Sequence, residues 1–256
     1  MTTSAKDDGT AGVTDFGFES VAVTEKKARV REVFDSVAAR YDLMNDLMSL
    51  GLHRAWKRFA LLHTGLRRGD LALDLAAGSG DLSLGMAQQV GSDGYVVSTD
   101  INESMLVRGR DRLLDAGHAA NVTCVIADAE QLPFRKRSFN CVTIGFGLRN
   151  VTDKAGALAE MYRVIKPGGR ALVLEFSKLK LEALEPLYDF YSLQVLPRLG
   201  SLVLDDAASY RYLAESIRRH PDQQTLQTVM EQQGFERCRH HNLAAGIVAL
   251  HIGYRL

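Results

Sequence analysis

From residue 71 onward, short apolar runs alternate with segments of helical period, and no other feature of the sequence limits the fold so sharply. LALDLA (71–76) reads as a strand and DLSLGMAQQV (81–90) as a helix. GYVVSTD (94–100) and VTCVIAD (122–128) are further strands. Between them lies the helical ESMLVRGRDRLLDAG (103–117), with Met105, Leu106, Leu113 and Leu114 as its apolar positions. FNCVTIGFG (139–147) reads as a strand, DKAGALAEMYRVI (153–165) as a helix, Lys166-Pro167-Gly168-Gly169 as a turn and RALVLEFS (170–177) as a strand. Strands that alternate with helices predict a parallel sheet covered on both faces. Right-handed crossovers then gather the functional loops at the carboxyl ends of the strands.

Two regions stand outside this rhythm. Residues 25–63 look helical and precede the first strand, and residues 180–220 form an insertion rich in Tyr, Leu, Pro and Arg. A helix, TLQTVMEQQ (225–233), follows. FERCRHHNL (235–243) and GIVALHIGY (246–254) then lie close enough to pair as an antiparallel hairpin. Residues 1–24 are polar and lack both an apolar core run and arginine, so they are expected to form a mobile arm rather than a targeting segment. Residues 25–256 are expected to form a single domain, and an apolar content of 46% suffices for its core. The segment nearest to a membrane span, 183–204, carries Glu185, Asp189, Arg198, Pro186 and Pro197, which oppose insertion. Lys plus Arg equals Asp plus Glu, 31 each, so bulk attraction to nucleic acid is not expected. Cys124, Cys141 and Cys238 lack metal-ligand spacing and read as reduced, structural thiols.

The loop in LDLAAGSGDLS (73–83) carries the first chemical signal. Gly78 and Gly80 match a nucleotide-binding turn, but the third glycine position of the dinucleotide fingerprint holds Ser83. Asp81 opens the next helix, where a carboxylate suits the helix dipole and would repel a pyrophosphate. Asp74 adds an acid just before the loop. A cationic ligand without phosphate, such as S-adenosylmethionine, fits these signs better than NAD. Asp100 ends the second strand, 20 residues after Gly80, and can accept from both ribose hydroxyls. Asp128, in Asp128-Ala129-Glu130, can accept from an adenine amino group, with Leu132 or Phe134 flanking the ring. Any one of these acids reads equally as a turn or cap residue; three of them, at consecutive strand ends beside the glycine loop, favour a binding site.

Several long strings resemble the ubiquinone/menaquinone biosynthesis C-methyltransferase family, a branch of the class I S-adenosylmethionine-dependent methyltransferases. They are VFDSVAARYDLMNDLMSLGLHRAWKRF, LDLAAGSGD, DINESML, FGLRNVTDK, RVIKPGGRALVLEFSK, DDAASYRYLAESIRRHPDQ and GIVALHIGY. The resemblance runs from about Phe16 to the C-terminus. It implies a Rossmann-like α/β fold with a seven-stranded, mostly parallel sheet whose last strand is antiparallel. Extra helices precede the sheet, and a helical insertion comes before the last helix and strands. It also implies methylation of a ring carbon in a polyprenylated quinol, with S-adenosylhomocysteine as co-product. The family's cofactor positions fall on Ser79, Asp100, Asp128 and Ala129, and Ile101 follows Asp100. A further position, often serine in the family, falls on Gly145, so contact there is expected from backbone. Departures are Ser79 for the usual threonine, Leu179 for the proline after Ser-Lys, and the basic turn Arg135 to Asn140.

Methyl transfer to carbon requires a nucleophilic ring, so the site should help a quinol hydroxyl to lose its proton and should steady the resulting oxyanion. Arg149, in FGLRN, is the first candidate for that support, with a structural ion pair as its alternative. Asn150 is expected to orient a hydroxyl or cap the next helix. Base candidates are His53, Tyr41, Asp42, Tyr210 and Asp206, with His53 nearest to neutrality in ordinary pKa. No metal is expected. His240 and His241 are adjacent in a strand and should face opposite sides of the sheet. The apolar positions of 183–204, Phe190 and Leu193 among them, are expected to cover the isoprenoid tail. The chain is therefore expected in the cytoplasm, with peripheral contact to the inner membrane surface and to other quinone-biosynthesis proteins. The alternatives are a methyltransferase of the same fold with another aromatic or lipid acceptor, and a non-catalytic scaffold. Benzoquinol and naphthoquinol both remain open as acceptors.

Overall fold

The computed structural model describes residues 12–38, 41–181 and 207–256. A seven-stranded sheet organises the domain, in the order β5-β4-β3-β6-β7-β9-β8. Its strands are β3 (Leu71–Leu75), β4 (Tyr95–Asp100), β5 (Val122–Ile126), β6 (Phe139–Gly145), β7 (Ile165–Phe176), β8 (Glu236–Leu243) and β9 (Val248–Tyr254). β5, β4, β3, β6 and β7 pair in parallel, and β9 runs antiparallel to both of its neighbours. The expected antiparallel hairpin is thus β8–β9, and the chain has the expected Rossmann-like architecture.

Helices cover both faces. They are α3 (His53–His63), α4 (Asp81–Val90), α5 (Glu103–Asp115), α6 (Lys154–Val164) and α8 (Gln223–Gln232), with α1 (Val23–Val37), α2 (Tyr41–Ser49) and α7 (Ala207–Arg219) at the site end. The central strands read as continuous apolar runs because both of their faces are buried. Leu73, Leu75, Val142, Ile144 and Val173 pack against Leu158 and Met161 of α6 and Leu226 and Met230 of α8. On the other face, Cys141, Leu172, Leu174 and Leu250 pack with Trp56 and Ala60 of α3. His240 and His241 diverge as expected of neighbours in a strand: His240 Nδ1 lies 2.8 Å from Gln227 Oε1 on α8, whereas His241 packs on Phe59 and His63 of α3.

Two segments differ from the sequence reading. Residues 13–22, within the expected N-terminal arm, form an antiparallel hairpin of β1 (Val13–Phe16) and β2 (Glu19–Ala22). Gly17 supplies its turn with a φ of +59°, and the hairpin is docked: Phe16 stacks on Tyr212 of α7 at 4.3 Å. Lys166-Pro167-Gly168-Gly169 lies within the twelve residues of β7. The register of β6 against β7 shifts there, between Phe139 and Cys141, which accommodates the glycine pair inside a strand. The proposed tail cover at 183–204, with Phe190 and Leu193, and the base candidate Asp206 lie outside the described residues.

The strand order reverses beside β3, which has β4 on one side and β6 on the other. Loops leaving neighbouring strands in opposite directions open a crevice at their carboxyl ends.

Candidate active site

That crevice holds a cavity of about 850 Å³, open to solvent at its mouth. The carboxyl end of β3 supplies Ala76 and Gly78 to its wall, that of β4 Thr99, Asp100 and Ile101, and that of β5 Asp128, Ala129 and Glu130.

Positive φ shapes the glycine loop: Ala76 at 48°, Gly78 at 56° and Gly80 at 80°. A Cβ on Gly109 of α5 would meet Gly78 O at 2.7 Å, so the loop and α5 approach as only glycine allows. Asp100 is 8% exposed and is gripped by backbone amides. Gly78 N donates to its Oδ2 and Asn102 N to its Oδ1, each at 2.9 Å. Burial raises its carboxyl pKa, while these amides favour the ionised form. The Ile101 amide adds a third backbone contact, and the carboxylate, with about four lone-pair sites, still has room for a further donor.

Asp128 Oδ1 accepts from Glu130 N at 2.9 Å, and Oδ2 takes Lys27 Nζ at 2.6 Å. Lys27 also reaches Glu130 at 3.0 Å. It belongs to α1, whose Lys27, Val30, Arg31 and Phe34 roof the cavity. Asp35 ties the helix down by accepting from Asn102 Nδ2 (2.9 Å) and Ser104 Oγ (2.7 Å). The sequence reading missed these residues, although Lys27, Val30, Arg31 and Phe34 repeat at helical spacing and could have marked a face.

Several expected cofactor residues support the wall from behind. Asp74 is 1% exposed and accepts from Ser83 Oγ (2.6 Å) and Thr143 Oγ1 (2.7 Å). Burial pushes its pKa up to about 6. The serine at the third glycine position thus holds a buried acid. Ser79 accepts from Arg112 through its carbonyl, and Gly80 caps α4. Gly145 lies against Leu82, whose Cδ1 would stand 2.8 Å from an added Cβ. Asp81 pairs with Lys57 at 2.7 Å and Arg112 at 2.8 Å. Its charge is therefore balanced, and it repels a phosphate less than the sequence suggested.

The opposite wall comprises Phe146, Gly147, Asn150, Val151 and Thr152. A 3-10 turn, Leu148–Asn150, presents Asn150 to the cavity. Arg149, the first candidate for oxyanion support, is 7% exposed and stands behind this wall. Its Nη1 donates to Phe146 O and, at 2.9 Å, to Glu175 Oε1; its backbone N donates to Glu175 Oε2 at 3.1 Å. Glu175 also accepts from Phe176 N at 2.9 Å. The structural alternative for Arg149 therefore holds: its cation is balanced by Glu175, and together they fold the turn that carries Asn150.

The base candidates fare differently from one another. His53 is 4% exposed, lies 2.9 Å from Asp46 through Nε2, and does not line the cavity. Burial lowers its pKa against the opposing pull of Asp46, and it packs in α3 away from the cavity. Tyr210 is buried with Val30, Met44 and Leu213. Tyr41 and Asp42 begin α2, but their side chains lie outside the described residues.

A model of the ubiE/COQ5 methyltransferase family matches residues 22–255. The ubiquinone/menaquinone biosynthesis C-methyltransferase UbiE of Xylella fastidiosa (strain 9a5c) is 58% identical over 244 residues, 95% of this chain and 96% of that protein. The protein of the same name from Escherichia coli O1:K1 / APEC is 59% identical over 242 residues, covering 94% and 96%. Among solved structures, a SAM dependent methyltransferase from Aquifex aeolicus superposes with a TM-score of 0.59 at 15% identity, covering 83% of this chain and 98% of that one.

Proposed function

We propose, from the premise that this chain belongs to the ubiE/COQ5 methyltransferase family, that it methylates a ring carbon of a polyprenylated quinol. It is an S-adenosylmethionine-dependent C-methyltransferase with a Rossmann-like fold. The relatives from Xylella and E. coli carry ubiquinone and menaquinone biosynthesis in their names, which supports a quinol acceptor here.

The observation that carries the reading is the buried Asp100 carboxylate, fixed by Gly78 N and Asn102 N at the cavity wall. Its remaining acceptor capacity suits the ribose hydroxyls of S-adenosylmethionine. Asp128 suits the adenine amino group once Lys27 turns wholly to Glu130, which it already reaches at 3.0 Å. Ile101 and Ala129 offer apolar contact to the adenine, and Gly78 leaves room for the methionine portion. S-adenosylmethionine supplies a methyl group on a sulfonium, an electrophile that needs no metal. The chain's own work is to hold the quinol ring in line, exclude water and steady a ring oxygen as it loses its proton. Asn150 is the neutral donor on the wall for that oxygen.

Among the described residues, no helix is long and apolar enough to cross a membrane. A polyprenyl acceptor resides in a bilayer, so we place the enzyme in the cytoplasm with peripheral contact to the inner membrane surface. Incubation with labelled S-adenosylmethionine and reduced, demethylated benzoquinone and naphthoquinone tests the reaction and decides the ring type. Label in neither product, from enzyme that binds the cofactor, would direct the search to another acceptor.

A further inference from the structure

We infer that Tyr212 is a positioning residue, whose hydroxyl fixes the Asn150 carboxamide with its N–H groups turned to the quinol oxygen. The inference rests on the quinol reading above and names the pair that would recognise the acceptor oxygen.

Tyr212 belongs to α7, 62 residues after Asn150, and nothing in the local sequence of either announces the other. Its Oη donates to Asn150 Oδ1 at 3.1 Å. An amide whose oxygen is taken presents its nitrogen on the other side. The hydrogen bond to Tyr212 uses Asn150 Oδ1 and leaves Nδ2 out of that contact, and Asn150 lines the cavity. The nitrogen end of the carboxamide is therefore a donor at a wall that faces the reaction.

The tyrosine is built to stay in place. It is 4% exposed, and its ring stacks on Phe16 at 4.3 Å with 20° between the planes. Arg29 lies over the other aromatic partner, 5.5 Å from the Phe16 centroid. The hairpin and α1 thus clamp the ring whose hydroxyl orients Asn150. Burial, with the nearby Glu175 charge, pushes the phenol pKa up to about 12 despite Arg149, so the hydroxyl keeps its proton and remains a donor.

The arrangement also accounts for the Arg149–Glu175 pair beside it. The pair balances its own charge and holds the 3-10 turn, while Tyr212 sets the last rotatable bond of the residue the turn presents. Without that hydroxyl the amide can flip and offer its oxygen, which would repel an ionised quinol oxygen. Neither Asn150 nor Tyr212 gives up a proton or forms a covalent bond; each contributes only a hydrogen bond.

The test compares wild type, Tyr212→Phe, Asn150→Ala and the double variant on a reduced, demethylated quinone. Tyr212→Phe keeps the ring stacked on Phe16 and removes only the hydroxyl. It should lower kcat at least about 10-fold, short of the roughly 100- to 1,000-fold that complete loss of an oxyanion donor costs. The dissociation constant for S-adenosylhomocysteine should stay within twofold of wild type. The acid limb of its pH–kcat profile should move to higher pH, because the ionised oxygen has lost a donor. In the Asn150→Ala background the same change should add nothing, because Tyr212 acts through Asn150. Asn150→Asp, which keeps an oxygen for Tyr212 but replaces the N–H with a carboxylate facing the quinol oxygen, should fall to the level of Asn150→Ala or below it. Wild-type kcat in Tyr212→Phe, or losses that add in the double variant, would overturn the inference while leaving the quinol reading intact. A wild-type enzyme that binds S-adenosylhomocysteine but methylates neither ring type would overturn both.

Discussion

The wall formed by the carboxyl ends of β3, β4 and β5 fixes its acids with backbone amides; the wall formed by the 3-10 turn, α1 and α7 fixes its polar groups with other side chains. Asp100 is fixed by amides of Gly78 and of Asn102, two residues away, and Asp128 by the amide of Glu130. By contrast, Arg149 depends on Glu175, 26 residues on, and Asn150 on Tyr212, 62 residues on. Lys27 bridges to Asp128 across 101 residues. The first wall recognises a constant feature, a nucleoside, and can be built from strand ends and tight turns. The second must fit an aromatic acceptor, and its parts come together only when the hairpin, α1, α7 and the turn pack against each other.

This difference orders the expected effects of breaking each wall. The two largest are of similar size, and the first falls on the stability of the second wall. Glu175→Ala leaves the Arg149 cation buried without its partner, which should destabilise the fold by about 3–5 kcal/mol. Chemical denaturation measures that loss, and Glu175→Gln, which keeps an acceptor, should lose less. A midpoint unchanged in Glu175→Ala would show that the pair does not hold the turn.

Next comes the first wall. Asp100→Ala removes the acceptor for two ribose hydroxyls, at about 1.5–3 kcal/mol for each charged hydrogen bond. Cofactor affinity should fall about 100-fold or more by calorimetry in a protein that still unfolds cooperatively. Retention of wild-type affinity would remove Asp100 from the cofactor site.

Smaller effects are expected from pH. His251 is 1% exposed, with Nε2 at 2.8 Å from Gln223 O, and burial lowers its pKa to about 4. The unfolded chain takes up this proton near pH 6.5 and the native protein only near 4. Stability tied to His251 is therefore complete above pH 6.5 and drains as pH falls toward 4. Asp74 acts with the opposite sign. Its native pKa of about 6 exceeds its ordinary 3.8, so its contribution weakens as pH rises through that interval. Asp74→Asn should flatten that fall, and His251→Gln should flatten the acid loss. Parallel stability curves for wild type and both variants between pH 4 and 7 would show that neither group couples to folding.

The smallest effect concerns the bridge between the walls. Lys27 and Asp128 are partly exposed, at 41% and 31% of their side chains. Such pairs contribute roughly 0–1 kcal/mol. Lys27→Met should therefore change cofactor affinity less than about tenfold, and a larger loss would make Lys27 a ligand contact rather than a roof tie.

The same contrast explains what could be read from residues alone. The strand–helix alternation, the glycine loop and the acids at strand ends are local patterns, so the sheet and the positions of Gly78, Asp100, Ile101, Asp128 and Ala129 at the cavity were legible. An acid before a glycine loop, such as Asp74, looks the same in sequence whether it faces a ligand or, as here, Ser83 and Thr143 beneath it. For Arg149 the residues alone leave oxyanion support and a structural ion pair both open, because its partner Glu175 lies on another strand. The docked hairpin was hidden because polar residues such as Asp15 and Glu19 alternate with those that pack, and Phe16 finds its partner only on α7. Tyr212 had no local signal at all, since its role arises from a single contact across the fold.

The most direct measurement is the position of the transferred methyl group. The enzyme is incubated with S-adenosylmethionine carrying a carbon-13 methyl and with reduced, demethylated quinones, and the products are read by NMR. The expected result is label on a ring carbon, as an aryl methyl resonance, with S-adenosylhomocysteine formed in equal amount. Label on a quinol oxygen, as a methoxy resonance, would contradict C-methylation and require the ring to sit in this cavity the other way round.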